Sequence, residues 1–498
     1  MPYCLSIDLG TSRVKAGVYD EKCSLLASAG KEAPMDISKG YCIQQAQDFL
    51  RVLKLTLKEL PFDLKSIDVI SFSGQMAGAV GVDKNCSPVT VWSGTVDTRS
   101  GAIPIQDKEK VLRVCGSISP FMAQKIIMLE KEARAAKYIS LLGYVIGKMT
   151  GLTVDELAVQ ETNLSWTGLA DLKTRTWSSE LISMFGINPD LLPRIAGATE
   201  IAGKITSEAA AEFGLPPGVS VLAGVGDKIA GCIGTGAIHE GDIVDESASV
   251  PAITINTRGF NPDLAHGTWD ILPSINAGSY YAMHYIPGAG IALDWFINTF
   301  AQEEKRTGKE KHVSAYDVLE EKASAVPAGS DSLLCVSLLG GRTLPYQPNI
   351  SGVFIGHKMS HTKAHFYRAF LESFAYEYKR CMDVFSTLYP GVTIGDVRSI
   401  GGGSRSALLS QIKSEVLGRT YLQMDRDDGT LLGCAIIGFT GIGVFSGEDE
   451  FAVSKPKKRY VPDEKNRKTY ERMVHLYNRV INNNDEIFNE LSRSGNET

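Results

Sequence analysis

Three short turns rich in glycine and hydroxyl residues most constrain how this chain can fold. They are Asp8-Leu-Gly-Thr-Ser-Arg-Val-Lys15, Gly224-Val-Gly-Asp-Lys-Ile-Ala-Gly231 and Gly401-Gly-Gly-Ser-Arg-Ser406, and each follows a predicted strand. Glycine permits tight turns and lets backbone N–H groups point at an anion. The sequence has neither a Walker A pattern nor a strict G-x-G-x-x-G, so these turns are the candidates for holding a nucleotide.

The pattern of apolar residues predicts a mixed α/β fold. Residues 3–7, 14–19 and 24–29 read as three strands in an antiparallel meander, so the chain does not open as a βαβ unit. Further strands are predicted at 68–72, 219–223, 250–255, 279–285 and 397–400, and helices at 46–60, 361–388 and 465–491. A chain of 498 residues favours at least two domains. The boundary is expected near 245–255.

Composition excludes several classes of protein. The 51 basic and 57 acidic side chains give a formal charge of −6, which argues against a nucleic-acid scaffold but not against binding small anions. Nine scattered cysteines without CxxC or zinc spacing suggest reduced thiols. The N-terminus lacks a signal-peptide pattern, and no apolar run is long enough to cross a bilayer. A cytoplasmic protein is expected.

The first turn combines groups suited to a phosphate. Gly10 allows the turn, Thr11 and Ser12 supply hydroxyl donors, and Lys15 supplies a cation. Asp8 could hold Mg²⁺ through water, because Mg²⁺ usually keeps several of its waters. A plain β-hairpin with hydroxyl turn residues explains the same pattern.

The second and third turns also have two interpretations each. Asp227 is an acid flanked by glycines after a buried strand, which suits a general base; it could equally be an N-cap of the following helix, and both can hold. Residues 401–406 precede a helix and leave room for a ring or a phosphate against the backbone. A flexible strand-to-helix turn is the alternative.

The ordered set of these motifs resembles the FGGY carbohydrate kinases, most nearly their xylulokinase-like branch. The set is Asp8-x-Gly-Thr-Ser, Ser73-Gly-Gln-Met, Trp92 with Asp97-Thr-Arg99, Gly226-Asp227 and Gly401-Gly-Gly-Ser-x-Ser. The resemblance spans nearly the whole chain. It implies an α/β fold of two actin/hexokinase-like domains, each with a ribonuclease-H-like mixed sheet, and a cleft between them. The division expected is 1–247, with the sugar site, phosphate loop and base, and 248–498, with the adenosine site.

The resemblance also implies roles for individual residues. Asp227 would be the catalytic base toward a sugar hydroxyl, with ATP as phosphate donor, and Asp8 would help to bind Mg²⁺. The implied substrate-binding residues are Gln75, Met76, Ala77, Asp97, Arg99 and Asp227. The implied ATP-binding residues are Gly10, Thr11, Ser12, Lys15, Ser247, Gly402, Gly403, Ser404 and Ser406. A homodimer is a possible assembly.

Some positions depart from the family pattern. Ala77 stands where xylulokinases usually have His, so a sugar hydroxyl loses a partner, which argues for a substrate other than xylulose. In Asp245-Glu-Ser-Ala-Ser249, either Ser247 or Ala248 replaces the usual Thr, and Glu246 would repel phosphate if it faced inward. A pentulose such as xylulose or ribulose is the expected acceptor. A polyol kinase acting on erythritol or glycerol is the runner-up, and a non-catalytic nucleotide or sugar sensor is the other alternative.

Overall fold

Two seven-stranded mixed sheets organise the chain in the computed structural model. The structure describes residues 1–37, 41–118, 121–248, 250–286, 288–446 and 454–494. Within these ranges no helix is both long and apolar enough to cross a membrane.

The first sheet is built around the opening meander. Tyr3–Leu9, Arg13–Asp20 and Leu25–Glu32 pair in sequence as antiparallel strands, which confirms the predicted meander. Tyr3–Leu9 also pairs in parallel with Val69–Gly74. The sheet is completed by Ile201–Lys204, Ser220–Leu222 and Val225–Gly226.

The second sheet has the same mixture of directions. Its spatial order is Asp270–Pro273, Ser279–Tyr285, Ala252–Arg258, Ile243–Glu246, Val397–Ile400, Tyr421–Met424 and Pro456–Tyr460. Ile243–Glu246, Val397–Ile400 and Tyr421–Met424 run parallel. The second sheet therefore begins at Ile243, and the division at 247/248 stays a prediction.

Four two-stranded sheets lie outside the main ones. They are Val80–Val82 with Lys137–Ile139, Ala158–Gln160 with Arg194–Ala196, Ala170–Asp171 with Thr176–Trp177, and Leu334–Val336 with Val353–Ile355.

Helices account for most of the remaining regular structure. The α-helices are Ala46–Lys58, Lys108–Cys115, Met122–Leu129, Leu141–Thr150, Ser179–Phe185, Ser207–Phe213, Asp227–Gly234, Ala289–Phe300, Gln302–Lys311, Ala315–Ser324, Lys363–Leu388, Ala407–Leu417, Gly429–Gly441, Arg467–Asn483 and Asp485–Ser494. Short 3₁₀ segments are Leu64–Ser66, Arg99–Ala102, Glu161–Trp166, Pro189–Leu191, Ser330–Ser332, Gly402–Arg405 and Glu464–Asn466.

Some predicted boundaries were wrong. The tail predicted as one helix over 465–491 is two helices, Arg467–Asn483 and Asp485–Ser494. The break falls at Asn484, in a run of asparagines, and asparagine favours turns and caps over helix interiors. The strand predicted at 250–255 is Ala252–Arg258, because Pro251 has no N–H to give to a ladder.

Helix Asp227–Gly234, hereafter the base helix, packs tightly on helix Gly429–Gly441 between the two sheets. Glycines make this close approach possible. A Cβ on Gly433 would lie 1.9 Å from the Ala230 carbonyl oxygen, and a Cβ on Gly234 would lie 1.9 Å from the Gly429 carbonyl oxygen. Helix Gly429–Gly441 also touches the first sheet, since a Cβ on Gly438 would lie 2.5 Å from Cys4 Sγ. A helix from the C-terminal half thus fixes the helix that carries Asp227.

Candidate active site

The three turns singled out in the sequence all follow the carboxyl ends of parallel strands. Tyr3–Leu9, Val69–Gly74 and Val225–Gly226 are neighbours in the first sheet. Ile243–Glu246 and Val397–Ile400 are neighbours in the second. Because parallel strands end at one edge of a sheet, the turns of each sheet meet there, which is where open α/β sheets bind ligands.

Asp8 lies buried near the end of the first strand, where it accepts a 2.9 Å hydrogen bond from Ser73 Oγ. Lys15 is its cross-strand partner. Burial raises the pKa of Asp8, and Lys15 opposes that rise. The two side chains thus place one acid and one cation at the mouth of the first turn.

The three turn residues between Asp8 and Lys15 differ in exposure: Gly10 and Thr11 are half-buried and Ser12 is exposed. A Cβ at position 10 would lie 2.8 Å from the Arg13 carbonyl oxygen, so the turn needs glycine there. Backbone contacts hold the turn: Ser12 O accepts from Ala33 N and Thr11 O accepts from Gln44 Nε2.

Asp227 is the first residue of the base helix, and Gly226 occupies the N-cap position. The cap interpretation of Asp227 was therefore wrong. Gly226 ends the preceding strand and has the extended backbone of an N-cap residue. The Gly226 N–H donates to Thr162 Oγ1 over 2.9 Å. Asp227 Oδ1 accepts from the Lys228 backbone N–H at 2.8 Å. An acid in the first turn also suits the positive end of the helix dipole.

The pKa of Asp227 is raised to about 6. Burial is the main cause; Lys228 opposes it, and the negative charges of Asp8 and Glu246 add to it. A carboxylate with a pKa near 6 is still mostly ionised at neutral pH and can accept a proton in a reaction.

Lys228 and Glu246 form an ion pair of 2.6 Å that sequence reasoning missed. Lys228 belongs to the base helix and Glu246 ends a strand of the second sheet. Although burial favours the neutral amine, Glu246 and Asp227 raise the pKa of Lys228. The sequence offered only a weak signal: an unexpected acid at 246 and a lysine directly after the candidate base.

The turn after Glu246 is braced by a buried polar cluster. Ser247 Oγ donates to Asp245 Oδ1 at 3.2 Å and accepts from Lys413 Nζ at 2.8 Å. Lys413 also donates to Asp245 Oδ2 at 2.6 Å, and Tyr378 donates to Asp245 Oδ1. The Ser247 hydroxyl is thus engaged inside the protein; Ser249 lies outside the described residues.

A cavity of about 740 Å³ lies beside the third turn. Gly402, Gly403 and Ser406 line it together with Ser247. Its apolar walls, which the sequence did not reveal, come from four helices and include Leu293, Tyr316, Tyr367, Phe374 and Leu409. A pocket this large and apolar, rimmed by glycine backbone, has the character of a small-molecule site.

The serines of the third turn have separate structural tasks. Ser404 is buried and donates to the Gly401 carbonyl at 2.7 Å, and it is not among the residues that line the cavity. Ser406 caps helix Ala407–Leu417 by accepting from Leu409 N at 3.0 Å, and it bonds to Glu320. Gly401 has φ +83°, a conformation that favours glycine.

Three of the predicted substrate-binding residues lie together. Gln75 and Ala77 line a small cavity with Trp92, Trp166 and Asn163. Gln75 Oε1 accepts from Trp92 Nε1 at 3.3 Å. Met76 is buried against Gly226, where a Cβ would lie 2.5 Å from its sulfur. Residue 77 has φ +55°, an unusual value for a non-glycine residue.

Asp97 and Arg99 form an ion pair, and neither residue lines this cavity. Arg99 Nε and Nη2 contact the Asp97 carboxylate at 2.8 Å and 2.7 Å, and Ser93 Oγ donates to the same group. Burial works against the ionised carboxylate, but the bonds from Arg99 keep the pKa of Asp97 below its usual value. Lys125 Nζ ties this loop together by donating to the Gly94 and Asp97 carbonyls.

Comparisons with known proteins identify the family of this chain. The N-terminal domain of the FGGY family of carbohydrate kinases matches residues 3–111 and 127–234, and the C-terminal domain matches 230–442. A xylulose kinase of Lactococcus lactis is 27% identical and covers 99% of both chains. A gluconokinase of Bacillus licheniformis is 27% identical over 99% of this chain and 98% of its own. The crystal structure of a xylulose kinase from Lactobacillus acidophilus superposes with a TM-score of 0.87 at 22% identity, covering 99% of this chain and 100% of that one.

The two family-model matches and the kinases among its relatives show the class of protein: a phosphotransferase with an alcohol group as acceptor. The chain belongs to the FGGY family of carbohydrate kinases. The predicted two-domain actin/hexokinase-like fold is confirmed. Carbohydrate kinases of this family use ATP.

Proposed function

We propose that this protein transfers the γ-phosphate of ATP to a hydroxyl of a sugar, with a pentulose such as xylulose or ribulose as the leading acceptor. The observation that supports this most is the carboxylate of Asp227. It heads the base helix beside Lys228, and burial raises its pKa to about 6.

Asp227 accepts the proton of the attacking hydroxyl. Phosphoryl transfer depends mainly on positioning and on neutralising charge, and it needs one carboxylate to orient the nucleophile. Lys15, together with the hydroxyls of Thr11 and Ser12, is assigned to the β- and γ-phosphates. Gly402 and Gly403 border adenosine in the 740 Å³ cavity, with Ser404 and Ser406 shaping the turn. Ser247 is assigned to the phosphate side of the same cavity.

Asp8 is assigned to Mg²⁺. Among the described residues no group of three or more His, Cys, Asp or Glu side chains forms a ready-made metal site. That fits Mg²⁺ in phosphoryl transfer, which is held by one or two carboxylates, waters and substrate phosphates. When bound, Mg²⁺ neutralises charge on the phosphates. Asp8 is suited because Ser73 holds its orientation.

A polyol such as erythritol or glycerol is the second candidate acceptor. Ala77 presents only a methyl group to the Gln75 cavity, so an acceptor with fewer polar groups loses little binding free energy there.

We also propose that the protein is cytoplasmic and forms a homodimer. The nine cysteines, all of them described, form no disulfide, as suits a reducing compartment.

The test is ADP release across a panel of D-xylulose, D-ribulose, erythritol, glycerol and D-gluconate. Native protein is compared with Asp227→Ala. Asp155→Ala is the matched control, because its carboxylate is 85% exposed, pairs with Lys137 and belongs to none of the three turns. Turnover of any compound on the panel that disappears only in Asp227→Ala supports the proposal. If no compound gives Asp227-dependent turnover, the kinase proposal is wrong and a sensor of the same fold gains support.

A further inference from the structure

Asn163 has a buried oxygen that the protein leaves without a partner. The residue is 4% exposed, and among the described residues no donor lies within hydrogen-bond distance of Oδ1. A buried acceptor without a hydrogen bond is costly, so it calls for a specific explanation. Asn163 lines the small cavity that also contains Gln75 and Ala77.

A relay of hydrogen bonds decides which way the Asn163 amide faces. The Ala223 carbonyl can only accept, so Gln160 must donate to it through Nε2, at 2.9 Å. The oxygen of Gln160 is thereby turned to the other side, where it accepts from Ser140 Oγ at 2.9 Å and from Asn163 Nδ2 at 3.2 Å. Asn163 therefore commits its nitrogen to Gln160, and its oxygen is the atom left over.

This oxygen lies close to the proposed base. A Cβ on Gly226 would lie 2.7 Å from Asn163 Oδ1, and Asp227 is the next residue. The walls beside it are two indole rings, Trp92 and Trp166. Their N–H groups are bonded to Gln75 Oε1 at 3.3 Å and to Asp270 Oδ2 at 3.0 Å. The cavity beside these rings measures only about 10 Å³, which is room for one hydroxyl group and not for a whole sugar.

The ten described residues that line this cavity carry no ionisable side chain. The nearby cations are already committed: Arg99 to Asp97 and Glu132, and Lys125 to two backbone carbonyls. A carboxylate brought into the cavity would lose its water without gaining a cation. It would also face the partial negative charge of Asn163 Oδ1.

We infer that Asn163 Oδ1 accepts a hydrogen bond from a hydroxyl of the acceptor substrate and so makes the pocket select neutral polyhydroxyl compounds over aldonates. This inference rests on the proposed kinase function and adds a specificity-determining residue to it. A hydroxyl supplies the donor that the oxygen lacks, whereas an acceptor without that hydroxyl leaves the oxygen buried and unpaired.

The test compares kcat/KM of native protein, Asn163→Leu and Asn163→Asp on the five-compound panel. Leucine keeps the volume but removes the acceptor, so kcat/KM for the best neutral acceptor falls about tenfold to a hundredfold. A protonated aspartic acid can donate to Gln160 and keep an oxygen toward the cavity, so Asn163→Asp loses less at pH 6 than leucine does. Native protein uses D-gluconate at least about tenfold less well than that acceptor.

Controls separate recognition from folding. Asn349→Leu, at an exposed asparagine bonded to Asn489, keeps native kcat/KM. Calorimetric affinity for a non-hydrolysable ATP analogue stays native in Asn163→Leu, which shows that the variant is folded. Native kcat/KM in folded Asn163→Leu for every acceptor overturns the inference. A higher kcat/KM of native protein for D-gluconate than for every neutral acceptor also overturns the inference.

The inference and the kinase proposal fail in different ways. If a neutral acceptor is phosphorylated in an Asp227-dependent manner but leucine at 163 has no effect, only the inference falls. If nothing on the panel is phosphorylated, the kinase proposal falls, and calorimetric binding of the same five compounds decides the inference. Weaker binding of a neutral compound by Asn163→Leu than by native protein supports it. Equal binding, or no binding to either protein, overturns it.

Discussion

Lys228 Nζ lies 2.6 Å from Glu246 Oε2 and so joins the residue after Asp227 to the end of a strand in the second sheet. The two charges act on the pKa of Asp227 in opposite directions: Lys228 lowers it and Glu246 raises it. From the sequence, Glu246 was expected to repel phosphate if its side chain faced inward. In the structure its charge is balanced by Lys228 on the base helix.

The ion pair predicts opposite shifts in the pH dependence of catalysis. As the proposed base, Asp227 acts in its ionised form, so we expect activity to be lost as pH falls through its pKa of about 6. Glu246→Gln removes a negative charge and moves the acid limb of kcat/KM to lower pH by about half a unit. Lys228→Met removes a positive charge and moves that limb to higher pH. Profiles between pH 5 and 8 check this; limbs that move in the same direction would contradict it.

Asp227→Asn is expected to lower kcat by about two to four orders of magnitude while making the protein more stable at pH 8. The pKa of Asp227 is raised on folding, from an ordinary value near 4 to about 6. The ionised carboxylate therefore costs stability above pH 6, and the cost vanishes below pH 4.

The free energy of unfolding in urea gives the measurement. We expect Asp227→Asn to exceed native protein by about 1–3 kcal/mol at pH 8, with the difference shrinking toward pH 4. Asp155→Ala, at a surface carboxylate, changes little at either pH. A difference for Asp227→Asn that is independent of pH would rule out this account.

D-Xylulose is predicted to be a poorer acceptor than the best compound on the panel, because Ala77 offers no hydrogen-bond partner in the Gln75 cavity. We expect kcat/KM for D-xylulose to be about tenfold lower. Ala77→His, which restores a polar side chain, raises the relative use of D-xylulose. Turnover of D-xylulose by native protein close to that of the best acceptor would refute the prediction.

Gly433→Ala is predicted to destabilise the protein by about 1–3 kcal/mol and to lower kcat. The added Cβ would lie 1.9 Å from the Ala230 carbonyl oxygen, so the base helix has to move. Gly231→Ala is the matched control on the base helix, because its nearest neighbour would be Thr430 Oγ1 at 3.8 Å. Alanine favours helix over glycine, so Gly231→Ala is neutral or stabilising. Equal thermal unfolding of the two variants would contradict the role of this contact.

Local pattern was sufficient to predict the opening meander of the first sheet and one strand of the second. The meander and strand Ser279–Tyr285 were predicted because turn residues and buried β-prone runs are local signals. Asp227 was predicted because glycines flank an acid after a buried strand. Its role as base, like those of the other site residues, stays a prediction.

The remaining parts of the site depend on contacts between distant elements. Lys228 and Glu246 are 18 residues apart on different elements, and no spacing rule links them. Asn163 acquires its orientation only through Gln160 and Ala223, 63 residues apart. The walls of the large cavity come from helices such as Ala289–Phe300 and Lys363–Leu388, whose apolar residues are indistinguishable in sequence from ordinary core.

The Lys413–Asp245 pair behind Ser247 bears on how the affinity for nucleotide depends on ionic strength. Its charges cancel inside the protein, so this pair itself attracts no counterions. Added salt should therefore act on nucleotide binding through exposed cations, and the affinity for ATP should fall as salt screens Lys15.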